Sequence, residues 1–162
     1  MAEDNRYQLL ELDTPDGLQD NIVKSLVVHS TKTVDERGRQ LWIYDETLPI
    51  MIYTSILLKK DASINDVIAK RGLAVCPMEK AARVVRTGDG NGEYHEARSG
   101  SIAIITPITH DKVPIWLAAI GEPFSENKFV EASKKDKLVI LPDTKFRLRV
   151  PYYLMVRSVR NV

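Results

Sequence analysis

The chain has 162 residues, 44% of them hydrophobic, with 23 Lys and Arg against 22 Asp and Glu for a formal net charge of +1. That length supports one buried core with room for a small second lobe, and the near-neutral balance excludes a whole-surface electrostatic footprint for nucleic acid while leaving room for a local basic face. A single cysteine, Cys76, excludes an internal disulfide and a cysteine-rich zinc site and points to a reducing, cytoplasmic setting. No apolar run approaches the roughly 20 residues that cross a bilayer, and the polar start M-A-E-D-N-R carries no signal-peptide pattern.

In chain order, Thr14-Pro15 ahead of Leu18, Ile22 and Leu26 reads as cap, first helical residue and apolar stripe, so a helix is predicted near residues 15–25. From Leu26 the period shortens: L-V-V-H-S-T-K-T-V, the polar turn Asp35-Glu36-Arg37-Gly38 and the return R-Q-L-W-I-Y predict a hairpin. The run I-M-I-Y-T-S-I-L-L after Pro49 reads as a third strand. Ser63 and Asp66 then form a variant capping box, Ile64, Val67 and Ile68 share one face, and Lys70, Arg71 and Gly72 suit a helix end, which predicts a short helix at 63–71.

Met78 to Val85 reads as a further helical fragment, because Ala81 and Ala82 favour helix. T-G-D-G-N-G-E-Y-H-E-A-R-S-G holds four glycines and reads as a flexible boundary loop over 87–100. Four β-rich runs follow, separated at His110-Asp111-Lys112, Gly121-Glu122-Pro123 and Pro142-Asp143-Thr144. The expected fold class is therefore α+β and β-rich. Residues 1–86 are expected to form a small OB-type barrel with capping helices, and residues 101–162 a C-terminal β-rich lobe packed on it or standing apart.

The pieces L-W-I-Y-D and D-A-S-I-N-D-V-I-A-K-R-G-L-A resemble the staphylococcal-nuclease-like (SN-like) half of extended Tudor domains, over about residues 12–76. In that family a helix leads into OB-type strands, a Y-D pair ends one strand, and an I-N-D helix closes the barrel. Ile43-Tyr44-Asp45 and Ile64-Asn65-Asp66 stand at those places here. The stretch Leu48 to Lys60 is longer than the family's connection, and the F-I-D-Y-G strand of a Tudor core has no counterpart. The resemblance implies a non-enzymatic, protein-binding scaffold of small-RNA (piRNA-type) silencing, with an arginine-rich or methylarginine peptide as partner.

No residue set reads as catalytic. Asp35, Glu36, Arg37, Arg39, Asp45 and Glu46 read as solvated turn charges, not as a metal-and-arginine nuclease centre. Cys76 reads as a small buried apolar residue, His29 as a strand histidine, and His95 and His110 lie at no metal-ligand spacing. Neither a metal nor a cofactor is expected. Trp42, Tyr44 and Tyr53 are the aromatic ligand-binding candidates, either a cage for a methylated cation or a second small core. Trp116, among Ile115, Leu117 and Ala118, reads as core. The alternative function is an OB-type single-stranded nucleic-acid binder, with RNA as partner, using Lys145, Arg147, Arg149, Tyr152 and Tyr153. Arg147 and Arg149 alternate with Phe146 and Leu148, so both guanidinium groups are predicted on one strand face, to bind phosphate or to solvate an edge.

Overall fold

The computed structural model describes residues 6–11, 15, 17–26, 30–34, 40–44, 46–60, 62–76, 81–87 and 94–162. Its elements are β1 (Tyr7–Glu11), α1 (Leu18–Leu26), β2 (Ser30–Val34), β3 (Gln40–Tyr44), α2 (Leu48–Lys60), α3 (Ala62–Ala69), β4 (Leu73–Val75), β5 (Ala81–Thr87), β6 (His95–Ala97), β7 (Ser101–Pro107), β8 (Val113–Ala119), β9 (Phe129–Ala132), β10 (Asp136–Ile140), β11 (Thr144–Arg147) and β12 (Tyr152–Asn161). Among the described residues they form an eight-stranded sheet, ordered β1-β10-β7-β12-β5-β3-β2 with β4 added on β12, and a four-stranded sheet, ordered β6-β11-β8-β9.

The last eight strands pair from the outside inwards. β5 lies against β12, β6 against β11, β7 against β10 and β8 against β9, every pair antiparallel. A single long hairpin wound into two facing sheets gives this order, and it is the topology of a jelly roll. β1 extends the larger sheet beyond β10, and the β2–β3 hairpin extends it beyond β5.

The larger sheet is buried on both faces. On one, Ile102, Ile104, Tyr153 and Met155 pack under Leu18, Ile22 and Leu26 of α1, Ile50 and Tyr53 of α2, and Ile64, Val67 and Ile68 of α3. On the other, Ala103, Ile105, Leu138, Ile140, Tyr152 and Leu154 meet Val113, Ile115, Leu117, Phe146 and Leu148. Burial on both faces explains why β7 is a continuous apolar run, whereas β8 alternates. The layers are thus helices, larger sheet and smaller sheet, and the smaller sheet keeps one face outward.

This architecture corrects the expected OB/SN-like barrel with helical caps. The strands before α3 are an edge hairpin of a sheet built mainly from later residues, and α3 lies on that sheet's outer face beside β4, closing no barrel. The Tudor-type resemblance falls with it. Two local readings are corrected as well. The run after Pro49 is helix α2: the Thr47 carbonyl accepts the Met51 N–H at 3.0 Å, proline sits in the first turn where its missing donor costs nothing, and Ile50, Tyr53 and Thr54 repeat with helical spacing on the buried side. Ala81–Thr87 is a strand, because pairing to β3 and β12 overrides the helical propensity of two alanines. The helix expected at 63–71 is observed as α3, and Gly72 follows it at φ 71°, with the Arg71 Nη1–H bonded to the Val67 carbonyl at 3.1 Å.

Candidate ligand-binding face

The outward face of the smaller sheet gathers several cationic and aromatic side chains. Thr144, Phe146 and Leu148 of the β11 strand and its continuation point inward and are buried, so Lys145, Arg147 and Arg149 alternate outward. Register places Arg147 opposite Trp116 on β8, and Trp116 opposite Phe129 on β9. The segment from β8 to β9 then lays Phe124 over this face. It is held by the Trp116 Nε1–H donating to the Glu126 carbonyl at 3.3 Å and by the Lys128 N–H donating to the Ser125 carbonyl at 3.0 Å.

Two cations are thereby clamped by rings. The Arg147 guanidinium sits 5.2 Å from the Trp116 ring centroid and 4.8 Å from that of Phe124. The Lys145 ammonium sits 4.5 Å from Phe124 and 5.0 Å from Tyr94. Phe124 and Tyr94 meet edge to face at 5.9 Å, and Trp116 and Phe129 are tilted at 6.0 Å. Such contacts hold long cationic side chains in place while leaving donors unspent. Among the described residues none of Lys145, Arg147 and Arg149 makes an ion pair, and the buried Arg147 Nε has no hydrogen-bond partner. Burial first, then the neighbouring Arg149 charge, pull the Arg147 pKa down, and Glu126 opposes this. An arginine stays charged at neutral pH regardless.

The remaining candidates are placed otherwise. Tyr53 is 1% exposed; its hydroxyl pairs with Thr106 at 2.7 Å and its ring meets Tyr153 at 4.4 Å, so it anchors α2 to the sheet and does not line a cage. Tyr44 packs on the same core. The side chain of Trp42 lies outside the described residues, as do His29, Asp35, Glu36, Arg37, Arg39 and Asp45. Tyr152 and Tyr153 are both buried, on opposite faces of β12, and neither offers a ring to a base. Trp116, expected in the core, is on the outer face instead. Period-two alternation with the buried Val113, Ile115 and Leu117 carries that signal, and the register sets Trp116 beside Arg147. Phe124 and Tyr94 were not singled out, since each comes from a segment between strands.

Inside the roll, His95 stacks on Phe146 at 5.7 Å and meets the edge of Tyr152 at 6.0 Å. An iron or zinc centre needs three side-chain donors converging on one point. Among the described residues no three His, Cys, Asp or Glu side chains are so grouped, and the groups on the inward face beside His95 are Phe146, Tyr152 and Ala97, with Glu96 on the other face of the strand. The described residues do not fit a protein-held metal. No helix among them is long and apolar enough to cross a membrane.

No protein-family model matches the chain, and no curated protein matches it. Solved structures do match. An oxidoreductase of the 2OG-Fe(II) oxygenase family from Burkholderia pseudomallei aligns over 96% of this chain and 86% of its own, with 9% identity and a TM-score of 0.43. RmlC from Streptococcus suis, in complex with dTDP-D-xylose, aligns over 80% of this chain and 62% of its own, with 13% identity and a TM-score of 0.32. A dTDP-4-dehydrorhamnose 3,5-epimerase from Bacillus anthracis, with TDP and PPi bound, aligns over 96% and 79%, with 9% identity and a TM-score of 0.30. The expectations of a non-enzymatic silencing scaffold and of an OB-type nucleic-acid binder are corrected together with the barrel on which both rested.

Proposed function

We propose that this jelly-roll domain binds an anionic small molecule bearing a ring, on the outer face of its smaller sheet, in the cytoplasm. The observation that carries the reading is Arg147: a guanidinium clamped between Trp116 and Phe124, with a buried donor nitrogen and, among the described residues, no ion pair at contact distance, although the Glu126 charge acts on it. Lys145 and Arg149 on the same face add charge of the same sign. Like charges gathered on one partly desolvated strand repel one another, and a bound carboxylate or phosphate relieves that repulsion while using the planar donor fork. Phe129, 46% exposed beside Trp116, offers apolar area for a ring. The lone cysteine supports the reducing compartment.

Calorimetric titration with phenyl phosphate, inorganic phosphate and uncharged phenol tests the reading. Phenyl phosphate binds best and loses affinity with added salt. Arg147→Gln weakens it by about ten- to a hundredfold, the worth of one or two hydrogen bonds to a charged group. Equal binding of phenol, or phenyl phosphate affinity unchanged by Arg147→Gln, would refute it.

A further inference from the structure

At another corner of the fold, two cavities of about 310 and 590 Å³ adjoin, sharing Leu73 and Pro142 in their walls. One wall is the segment from α3 into β4, another the turn between β10 and β11, and a third the end of β12. The floor is apolar: Leu141 and Val159 are 4% and 7% exposed. Cations stand around the rim, namely Lys70, Arg71 and Arg160, against one acid, Asp143. None of these four groups makes an ion pair among the described residues. Arg71 spends a donor on the Val67 carbonyl, which accounts for part of its presence at the helix end. Lys70 also stands at that helix end, where the dipole favours a cation, whereas Arg160 has no such role.

The walls are fixed from several directions. The Val162 N–H donates to the Gly72 carbonyl and the Val159 N–H to the Gly100 carbonyl, each at 2.9 Å, which ties the end of β12 to both neighbouring segments. The opposite turn is held by the Ile120 N–H on the Asp143 carbonyl at 3.0 Å. A cleft of this size, with an apolar floor, a few polar groups and a rigid frame, has the make-up of a small-molecule site. Its charge selects the ligand.

We infer that this cleft is a second binding site, for a small organic oxyanion whose apolar body lies on Leu73, Leu141 and Val159 and whose charged head meets Lys70 and Arg160. Carboxylate and phosphate heads share that chemistry, and the experiment separates them. Amide chemical shifts of the full chain are followed by NMR while benzoate, phenyl phosphate or inorganic phosphate is added. The amides of Ser99, Gly100, Asp143 and Asn161 are expected to move saturably with at least one of the two ring-bearing anions. The preferred head is the one with the lower apparent Kd, and inorganic phosphate alone, lacking the apolar body, binds more weakly. Lys70→Gln with Arg160→Gln, both at exposed positions, raises that Kd at least tenfold, whereas Arg147→Gln leaves it unchanged. Failure of these amides to move up to roughly 10 mM, the weak end of small-ligand affinity, overturns the inference. So do shifts that persist in the double variant, and so does inorganic phosphate binding as tightly as either ring-bearing anion. Because the Arg147 face is read from Trp116, Phe124 and Lys145 in the same spectra, failure of one site leaves the other standing.

Discussion

Removing the Tyr53 hydroxyl should destabilise the protein more than removing that of Tyr153, although both belong to matched tyrosine–threonine pairs between α2 and the larger sheet. Tyr53 Oη lies 2.7 Å from Thr106 Oγ1, and Tyr153 Oη lies 2.7 Å from Thr54 Oγ1. Thr54 also donates to the Ile50 carbonyl at 2.9 Å, so in its pair the tyrosine must be the donor. Tyr153→Phe therefore leaves Thr54 with its own donor bond intact, at a cost of about 0.5–1.5 kcal/mol. Tyr53→Phe instead strands the hydroxyl of Thr106, which is 2% exposed. Leaving such a buried group unmatched costs about 1–3 kcal/mol. Taking out both members, Tyr53→Phe with Thr106→Val, removes the stranded group and should return stability to within about 1 kcal/mol of the starting protein.

Urea unfolding measures all four variants, read as midpoint shifts at constant slope. A double variant whose loss equals the sum of the two single losses would refute the reasoning, as would Tyr153→Phe costing more than Tyr53→Phe. The same pairs set a pH limit. Burial, the largest cause for each, raises both phenols above their ordinary 10.0, against the lowering effect of the threonine hydrogen bonds. The folded state therefore keeps protons that the unfolded chain releases above pH 10. The stability they contribute is full below the unfolded value and falls as pH rises above it, by up to about 1.4 kcal/mol per pH unit per tyrosine. Each Tyr→Phe variant should flatten that decline by its own share.

Phe146→Ala should cost about 3–5 kcal/mol in the same unfolding assay, because a fully buried ring between the sheets leaves a cavity, and Phe146→Leu should recover most of it. Gly121, at φ 93° with open space around an added Cβ, should lose about 1–2 kcal/mol on substitution by alanine from backbone strain alone; a neutral result would show that the turn relaxes.

Legibility followed the range of the interactions. The α1 stripe at Leu18, Ile22 and Leu26, the Gly72 stop and the β2–β3 hairpin are each specified within about a dozen residues, and each could be read from the chain. The α2 run could not be. Ile50, Ile52 and Ile56 are as suited to a strand as to a helix, and the deciding features are Thr47 at the cap and the buried spacing of Ile50, Tyr53 and Thr54. Reading it as a strand also left Tyr53 open to a cage or a second small core with Trp42 and Tyr44, and its burial between α2 and the larger sheet answers for the core. β5 is specified by partners at Tyr152–Val156, some 70 positions away in sequence, and no local pattern contains that pairing. The candidate face was half legible. Period-two alternation put Lys145, Arg147 and Arg149 together, but the rings that clamp two of them arrive through the β8–β11 register and the segment carrying Phe124.

Which surface is left for recognition follows from the layering itself. Helices cover one face of the larger sheet and the smaller sheet covers the other, so the centre of that sheet can offer only its strand ends and edges to a ligand. The smaller sheet is covered once. A stable protein would ordinarily furnish its free face with short polar side chains, yet this one carries Trp116, Phe129, Lys145 and Arg147, whose ordering costs side-chain entropy of about 0.5–2 kcal/mol each. Ring-on-cation packing offsets part of that cost and no more, since an exposed contact of this kind contributes about 0.5–1 kcal/mol. The ordering of that face is thus offset only in part by ring-on-cation packing, which is why the proposed anion on Arg147 is the occupant to test there.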